Sequence, residues 1–228
     1  MPSIDGAMGA VIAPASGGLL YRGSKRAVDV FGSSVALVAL SPLLLAIGLA
    51  IRLQSPGPAL FRQRRVGQGG KEFTCYKFRS MVNGCDESPH REAACKYLNG
   101  EIKATANDAS GPLFKRPDDP RVTKVGRWLR RTSVDELPQL INVLKGEMSL
   151  VGPRPPIPYE VALYSERHWQ RLAVPPGITC LWQIGDRDRV GFEEVVSMDL
   201  EYIKKRSLWT DMRILLLTIP AVLKMDGH

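Results

Sequence analysis

Cysteine and histidine are scarce in this 228-residue chain, with four of the first and three of the second. Cys75, Cys85, Cys95 and Cys180 show no C-x-x-C spacing, and His90, His168 and His228 form no paired ligand set, so a structural zinc site is excluded. Thiols without partners place the body of the chain in a reducing, cytosolic compartment. No H-E-x-x-H or G-x-S-x-G motif occurs, which removes zincin and serine-hydrolase chemistry and leaves the histidines to surface or packing roles. Aromatics are only 7% of residues and the aromatic-basic interleaving of an RNA-binding sheet is absent, so no nucleic-acid partner is expected. Length is limiting too. It suits one substantial domain with small additions, not two.

What the chain has in excess is positive charge, 31 Lys and Arg against 23 Asp and Glu. Nucleic acid, anionic lipid and phosphorylated substrates all fit such an excess, and its placement narrows the choice. Arg22, Lys25 and Arg26 precede the most apolar stretch, while Arg52, Arg62, Arg64 and Arg65 follow it; that bracket matches membrane headgroups. The stretch itself, residues 27–51, exceeds the roughly 20 apolar residues that a bilayer requires. Ser41-Pro42 interrupts it, and proline predicts a kink or break. With both flanks basic and the remainder cytosolic in character, a re-entrant membrane helix over residues 23–54 satisfies both facts; a single span kinked at Pro42 is the alternative. Asp29 reads as a cap or headgroup contact. Residues 1–22, rich in Gly, Ala, Ser and Pro, are expected to be a disordered tail and do not form a signal peptide. Residues 55–228 are read as a cytosolic catalytic domain at the membrane surface.

Within that domain the predicted class is α+β, mainly α, with interfacial amphipathic helices and a small β-hairpin. Alternation on either side of Gly67 to Gly70 predicts the hairpin, which would carry Lys77 and Arg79 on one face. Two cations at that spacing either address one phosphate or make a solvated strand face. Residues 83–120 read as a lid or insertion loop with one helix near 91–98. Val122, Val125, Trp128 and Leu129 recur at helical spacing, and residues 137–145 make a short helix that Gly146 ends. Residues 159–174 and 192–205 read as amphipathic helices, joined by a loop and short strand carrying Arg187 and Arg189. Residues 208–223 are nearly apolar all round but broken by Asp211, Arg213 and Pro220. They read as an interfacial helix with Trp209 at headgroup level, or as a buried core helix.

The chemistry centres on Asp135-Glu136, behind Arg130-Arg131. Ser133 and Glu136 have capping-box spacing, and a helix start just before Pro138 is the competing register. Either one sets both carboxylates near a first turn. Acidic pairs of this kind mostly decorate helix starts; the cations alter the reading. Arg154, held between Pro153 and Pro155 with little freedom to lose, suits phosphate, although Pro-rich connectors are common. Carboxylate nucleophiles form acyl phosphates, and attack on a diphosphate needs Lys, Arg or a hard cation such as Mg²⁺ to spread charge.

Taken together, these motifs resemble the bacterial sugar transferase family, the monotopic polyprenyl-phosphate phosphoglycosyl transferases that begin assembly of exopolysaccharide, O-antigen or related glycans. The resemblance runs from about Lys25 to Leu223. It rests on Lys25-Arg-x-x-Asp29 with the Ser41-Pro42 break, Tyr76-Lys-Phe-Arg-Ser-Met81, the run from Asp119 to Arg131, Ser133-Val-Asp-Glu-Leu-Pro-Gln-Leu140 and Met148-Ser-Leu-Val-Gly-Pro-Arg-Pro155. It implies that Asp135 attacks the sugar-bearing phosphate of a UDP-sugar, expelling UMP, and that undecaprenyl phosphate then takes over the phosphosugar. It further implies that Glu136 helps Asp135 hold Mg²⁺, that Lys77, Arg79 and Arg154 hold phosphate, that Pro153 to Pro155 lie near the nucleotide, and that Arg130 supports the acidic loop. The implied location is the cytoplasmic face of the bacterial inner membrane, in contact with lipid, and a homodimer is left open. Gly185-Asp-Arg187 departs from the family's usual Gly-Arg pair, which leaves the role of Arg187, also counted with the substrate site, open. Two other classes compete: a non-catalytic adaptor binding anionic lipid, and a glycosyl transferase that releases UDP.

Overall fold

The structure, a computed structural model, describes residues 18–85, 88–101, 119–184 and 191–223. Arg187, Arg189 and most of the expected lid lie outside the described residues.

Helix α1 covers Leu19–Gln54, so residues 19–22 belong to it and not to the tail. Pro42 lies inside it, and the helix continues through that position, with Ser41 Oγ donating to the Val38 carbonyl at 2.8 Å one turn back. By length and composition it is able to cross a membrane. Both of its ends nevertheless pack on the rest of the chain. Near its start, Asp29 is buried and accepts from Ser149 Oγ and the Leu150 N–H, both at 3.0 Å. Lys25 Nζ donates to the Val151 carbonyl at 3.1 Å and to Asp211 at 2.8 Å, and the Arg26 guanidinium donates to the carbonyls of Val143 and Leu144. Near its end, Ile47 and Ile51 are buried with Phe78 and Leu129. Val35, Val38, Leu43 and Leu45, between the two, are exposed. The expectation that Lys25 and Arg26 serve headgroups is therefore corrected. Their charges satisfy internal carbonyls and a carboxylate, and Asp29 is a strand contact, because a buried carboxylate requires partners.

After the Ser55 to Pro58 turn, β1 (Leu60–Val66) and β2 (Glu72–Phe78) pair antiparallel, with Leu60 opposite Phe78 and Val66 opposite Glu72. Gly69 and Gly70, at φ 64° and 76°, supply the left-handed turn that other residues resist. Phe73 and Cys75 point inward against Val143 and Met148. Helix α2 is Ser88–Leu98, enclosing the expected 91–98 stretch. Helix α3 (Lys124–Arg131) is capped by Thr123, whose hydroxyl accepts from the Gly126 N–H at 2.9 Å. It lies so close to the end of the hairpin that a Cβ at Gly126 would fall 1.9 Å from the Ser80 carbonyl.

A 3-10 turn (Val134–Gln139) leads into α4 (Leu140–Lys145), which Gly146 ends at φ 81° as expected. Strand β3 (Ser149–Val151) pairs in parallel with β4 (Gly177–Thr179). The single amphipathic helix expected over 159–174 is replaced by short pieces, Pro158–Val161, Glu166–Trp169 and the 3-10 turn Gln170–Ala173. The break has a local cause. His168 Nδ1 accepts from the Ser165 N–H at 3.1 Å and restarts the helix there. Helix α5 (Phe192–Lys205) agrees with its periodicity. Helix α6 (Leu208–Leu223) divides the two readings between its faces: Asp211 and Ile214 are buried, while Trp209, Leu216 and Ile219 are exposed. The fold is thus mostly helical with two small sheets, the antiparallel hairpin and the parallel β3–β4 pair.

Candidate active site

Ser133 has φ 55°, the only non-glycine positive φ among the described residues, and it turns the chain sharply from α3 into the acidic segment. Such a conformation costs on the order of 1 kcal/mol and persists only when its surroundings impose it. The Ser133 side chain makes no cap, so the capping box does not form. Pro138 closes the 3-10 turn just ahead of α4, nearer to the competing register.

In a 3-10 helix residues three apart eclipse. The segment therefore has three faces, carrying Val134 with Leu137, Asp135 with Pro138, and Glu136 with Gln139. Val134 packs against the Ile47, Ile51, Phe78 and Leu129 cluster, which anchors the segment under α1. Asp135 is buried, 7% exposed, within electrostatic reach of Arg130. Burial draws the Arg130 guanidinium below its ordinary pKa, opposed by the carboxylates of Asp135 and Asp119. Arg130 is thus a cation beside Asp135.

Glu136 faces the other cations. Its Oε1 accepts from Lys77 Nζ at 2.9 Å and lies 3.4 Å from Arg154 Nη1. Arg65 completes the group: buried, it donates through Nη1 to the Pro155 carbonyl at 2.7 Å and through Nε and Nη2 to Gln63 Oε1 at 3.0 and 2.7 Å. Burial, and then the like charge of Arg154, push the Arg65 pKa down. These side chains line a small cleft open to solvent. Three cations face one carboxylate there, so the cleft favours an anion with more than one charge.

The Pro153-Arg154-Pro155 segment is held by backbone as well as by Arg65. The Gly177 N–H donates to the Pro153 carbonyl at 2.8 Å, and the Gly152 N–H to the Thr179 carbonyl at 3.0 Å. The two chains cross so closely that a Cβ at Gly177 would stand 2.1 Å from the Gly152 nitrogen. Glycine on both sides is what lets the arginine loop lie on β4.

Of the residues singled out from sequence, Lys77, Glu136, Arg154 and Pro155 come together, with Asp135 and Pro153 adjacent in the chain and Arg130 beside Asp135. Arg79 does not join them. It is buried at the end of α1, donating to the carbonyls of Pro56 and Ser55, both at 2.7 Å, and to Ser55 Oγ at 2.9 Å. Strand β2 ends at Phe78, so the alternation that would have put Arg79 beside Lys77 has stopped. Arg65 was missed because it sits in a basic run. Its register opposite inward-facing Phe73 is the signal that would have found it.

No group of three or more metal-ligating side chains occurs among the described residues. The Asp135-Glu136 pair still fits Mg²⁺, which takes hard oxygen ligands from one or two carboxylates together with substrate phosphates and water.

Among curated proteins, the chain is 41% identical over 205 residues to the galactosyl transferase CpsE of Streptococcus agalactiae, covering 90% of this chain and 43% of that one. It is 42% identical over 203 residues to the undecaprenyl-phosphate galactose phosphotransferase of Salmonella typhimurium, covering 89% and 41%. It is 40% identical over 204 residues to the exopolysaccharide production protein ExoY of Rhizobium meliloti, covering 90% and 87%. The chain thus spans less than half of the two longer relatives and most of the third. The family profile described as bacterial sugar transferase matches residues 20–225, and the chain belongs to that family.

Proposed function

We propose that the protein transfers a sugar 1-phosphate from a UDP-sugar to a polyprenyl phosphate, undecaprenyl phosphate in bacteria, as the first step of exopolysaccharide or O-antigen type glycan assembly. The observation that carries this reading is the convergence of Lys77, Arg154 and Arg65 on the carboxylate that directly follows Asp135. Related proteins named as undecaprenyl-phosphate sugar phosphotransferases support the substrate pair.

Asp135 is the nucleophile. One of its carboxylate oxygens bonds to the sugar-bearing phosphorus, the bond from that phosphorus to the bridging oxygen breaks, and UMP leaves with the electron pair. An oxygen of the polyprenyl phosphate then attacks the same phosphorus and the carboxylate departs, giving the lipid diphosphate sugar. Glu136 is less suited to attack, because Lys77 and Arg154 already draw on its oxygen lone pairs. Lys77, Arg65 and Arg154 spread the charge of the diphosphate. Arg130 supports the Asp135 carboxylate from the other side. Mg²⁺, held by Asp135 and Glu136, would supply further charge neutralisation.

Helix α1 is read as re-entrant from the cytoplasmic face. Two features support that reading over a span: both ends pack on one body, and the apolar residues between them are open. The open face of α6, with Trp209 exposed, would lie in the same interface.

The test uses the full chain in lipid nanodiscs with undecaprenyl phosphate and a panel of UDP-sugars labelled in the sugar. Transfer of label to lipid with release of UMP, both lost in Asp135→Asn, is expected. Release of UDP would instead make the protein a glycosyl transferase, and no release of either nucleotide would favour a lipid-binding adaptor.

A further inference from the structure

Gln139 is 3% exposed, yet its side chain is in the wall of the cleft and no hydrogen bond to its carboxamide occurs among the described residues. The carboxamide atoms are not among the enclosed polar atoms left without a partner, so they open onto the cleft, where a ligand that displaces water has to replace its hydrogen bonds. The geometry of the segment says where that ligand lies. Gln139 is one 3-10 turn beyond Glu136 and eclipses it, which sets its Cα about 6 Å along the axis from that of the residue whose carboxylate gathers Lys77 and Arg154.

We propose that Gln139 is a substrate-contacting residue whose carboxamide binds a ring hydroxyl of a sugar esterified to the diphosphate. This rests on the function proposed above. The chemistry favours a hydroxyl over a phosphate oxygen. The cleft already has Arg65, Lys77 and Arg154 for anionic oxygens, and an amide adds what those cations lack, an acceptor beside its donors. A hydroxyl, itself donor and acceptor, matches both halves. Gly177 and Ile178, which also line the cleft, carry no side-chain charge to compete for the amide. A UDP-sugar offers two such rings, the ribose and the transferred hexose. Each is one ester oxygen from phosphorus and within the same reach.

The experiment pairs enzyme variants with ligand variants. Wild type, Gln139→Leu and Gln139→Met in nanodiscs are titrated calorimetrically with UMP and its 2′- and 3′-deoxyribose forms. They are then compared in UMP release with a UDP-hexose and its single-deoxy analogues. Each variant is expected to weaken the complete ligand about tenfold, and to cause no further loss with the one analogue lacking the contacted hydroxyl. Coupling to deoxyribose ligands assigns the contact to the nucleotide, and coupling to deoxyhexose ligands alone assigns it to the transferred sugar. Losses that are equal for every analogue, or variants that bind as wild type does, overturn the inference while leaving the function intact. Wild type that neither binds a UDP-sugar nor releases UMP overturns both. Two apolar replacements of different shape separate a lost contact from a lost fold, and Asp135→Asn, which retains Gln139, is expected to keep the full ligand coupling in binding.

Discussion

Lys77 Nζ and Glu136 Oε1 meet at 2.9 Å, joining the inner face of the hairpin, at the end away from its turn, to the acidic 3-10 segment, with both side chains 16% exposed. A pair this shielded is more than a surface ion pair, yet water still reaches it. Lys77→Met is expected to raise the KM for UDP-sugar about tenfold or more, since it removes a phosphate-facing cation and leaves Glu136 to Arg154 alone. The double variant Lys77→Met with Glu136→Gln should lose less than the two single effects multiplied together. Steady-state UMP release measures both, and exact multiplication of the effects would deny the coupling.

Arg79 behaves oppositely. Its guanidinium fixes the Ser55 and Pro56 carbonyls at the end of α1, outside the cleft. Arg79→Met is expected to destabilise the protein by about 1–2 kcal/mol through the lost hydrogen bonds to the partly exposed Ser55 and Pro56 carbonyls, with the KM of the folded fraction within about twofold of wild type. Thermal melts alongside kinetics decide, and a large KM change at unaltered stability would return Arg79 to the substrate site.

Gly177→Ala should disable the arginine loop without removing any charged group. The new Cβ would lie 2.1 Å from the Gly152 nitrogen, a backbone atom unable to yield without shifting β3 or β4. A fall in kcat/KM of more than about tenfold is expected, with Arg154 still present. Wild-type turnover would mean that the two strands do not cross this closely.

Cys75 offers a readout of pH. Burial pushes its thiol up, only partly offset by the charges of Lys77 and Arg65, so at neutral pH it stays protonated despite its cationic neighbours. Iodoacetamide near pH 8 should alkylate Cys85 and Cys95, which are half-buried, before Cys75. The linkage has a definite sign. A thiol that ionises later in the folded state than in the unfolded state subtracts stability as pH rises above about 9, so Cys75→Ala should flatten the alkaline loss. Peptide mass mapping and pH-resolved melts check the two halves.

If the acidic pair holds Mg²⁺, Glu136→Gln should raise the concentration of that ion needed for half-maximal UMP release, and Asp135→Asn should leave no turnover at any concentration. A titration with chelator and re-added metal tests this. Equal metal demand in wild type and Glu136→Gln would remove Glu136 from the ligand set.

Much of this was legible before any coordinates, because the signals were local. Alternation about Gly67 to Gly70 located the hairpin, Gly146 ended α4, and the run from Arg130 to Glu136 drew attention to the acidic segment. Where the reading failed, the deciding partner was remote in sequence. Nothing near Arg79 reveals that β2 stops one residue earlier, and nothing near Asp29 announces Ser149, 120 residues away. Lys25 and Arg26 illustrate the same limit. Their composition fits lipid headgroups, and only the fold supplies the carbonyls of Val143, Leu144 and Val151 instead. The eclipsed faces of the 3-10 turn are a subtler case, since an α-helical register would have set Glu136 between Gln139 and Leu140 and not directly in line with Gln139.

The Val151 carbonyl accepts from both Lys25 and Tyr202, each at 3.1 Å, three residues before Arg154. The arginine loop is thus suspended from the foot of α1 on one side and from α5 on the other. Trimming the chain to a water-soluble fragment that begins after residue 54 would take away Lys25 and Asp29 along with the greasy segment, and β3 would lose its backing. A crystallographer or screening chemist wanting a detergent-free version would do better to keep the helix and recolour its outward residues, Val35, Val38 and Leu45, with polar ones.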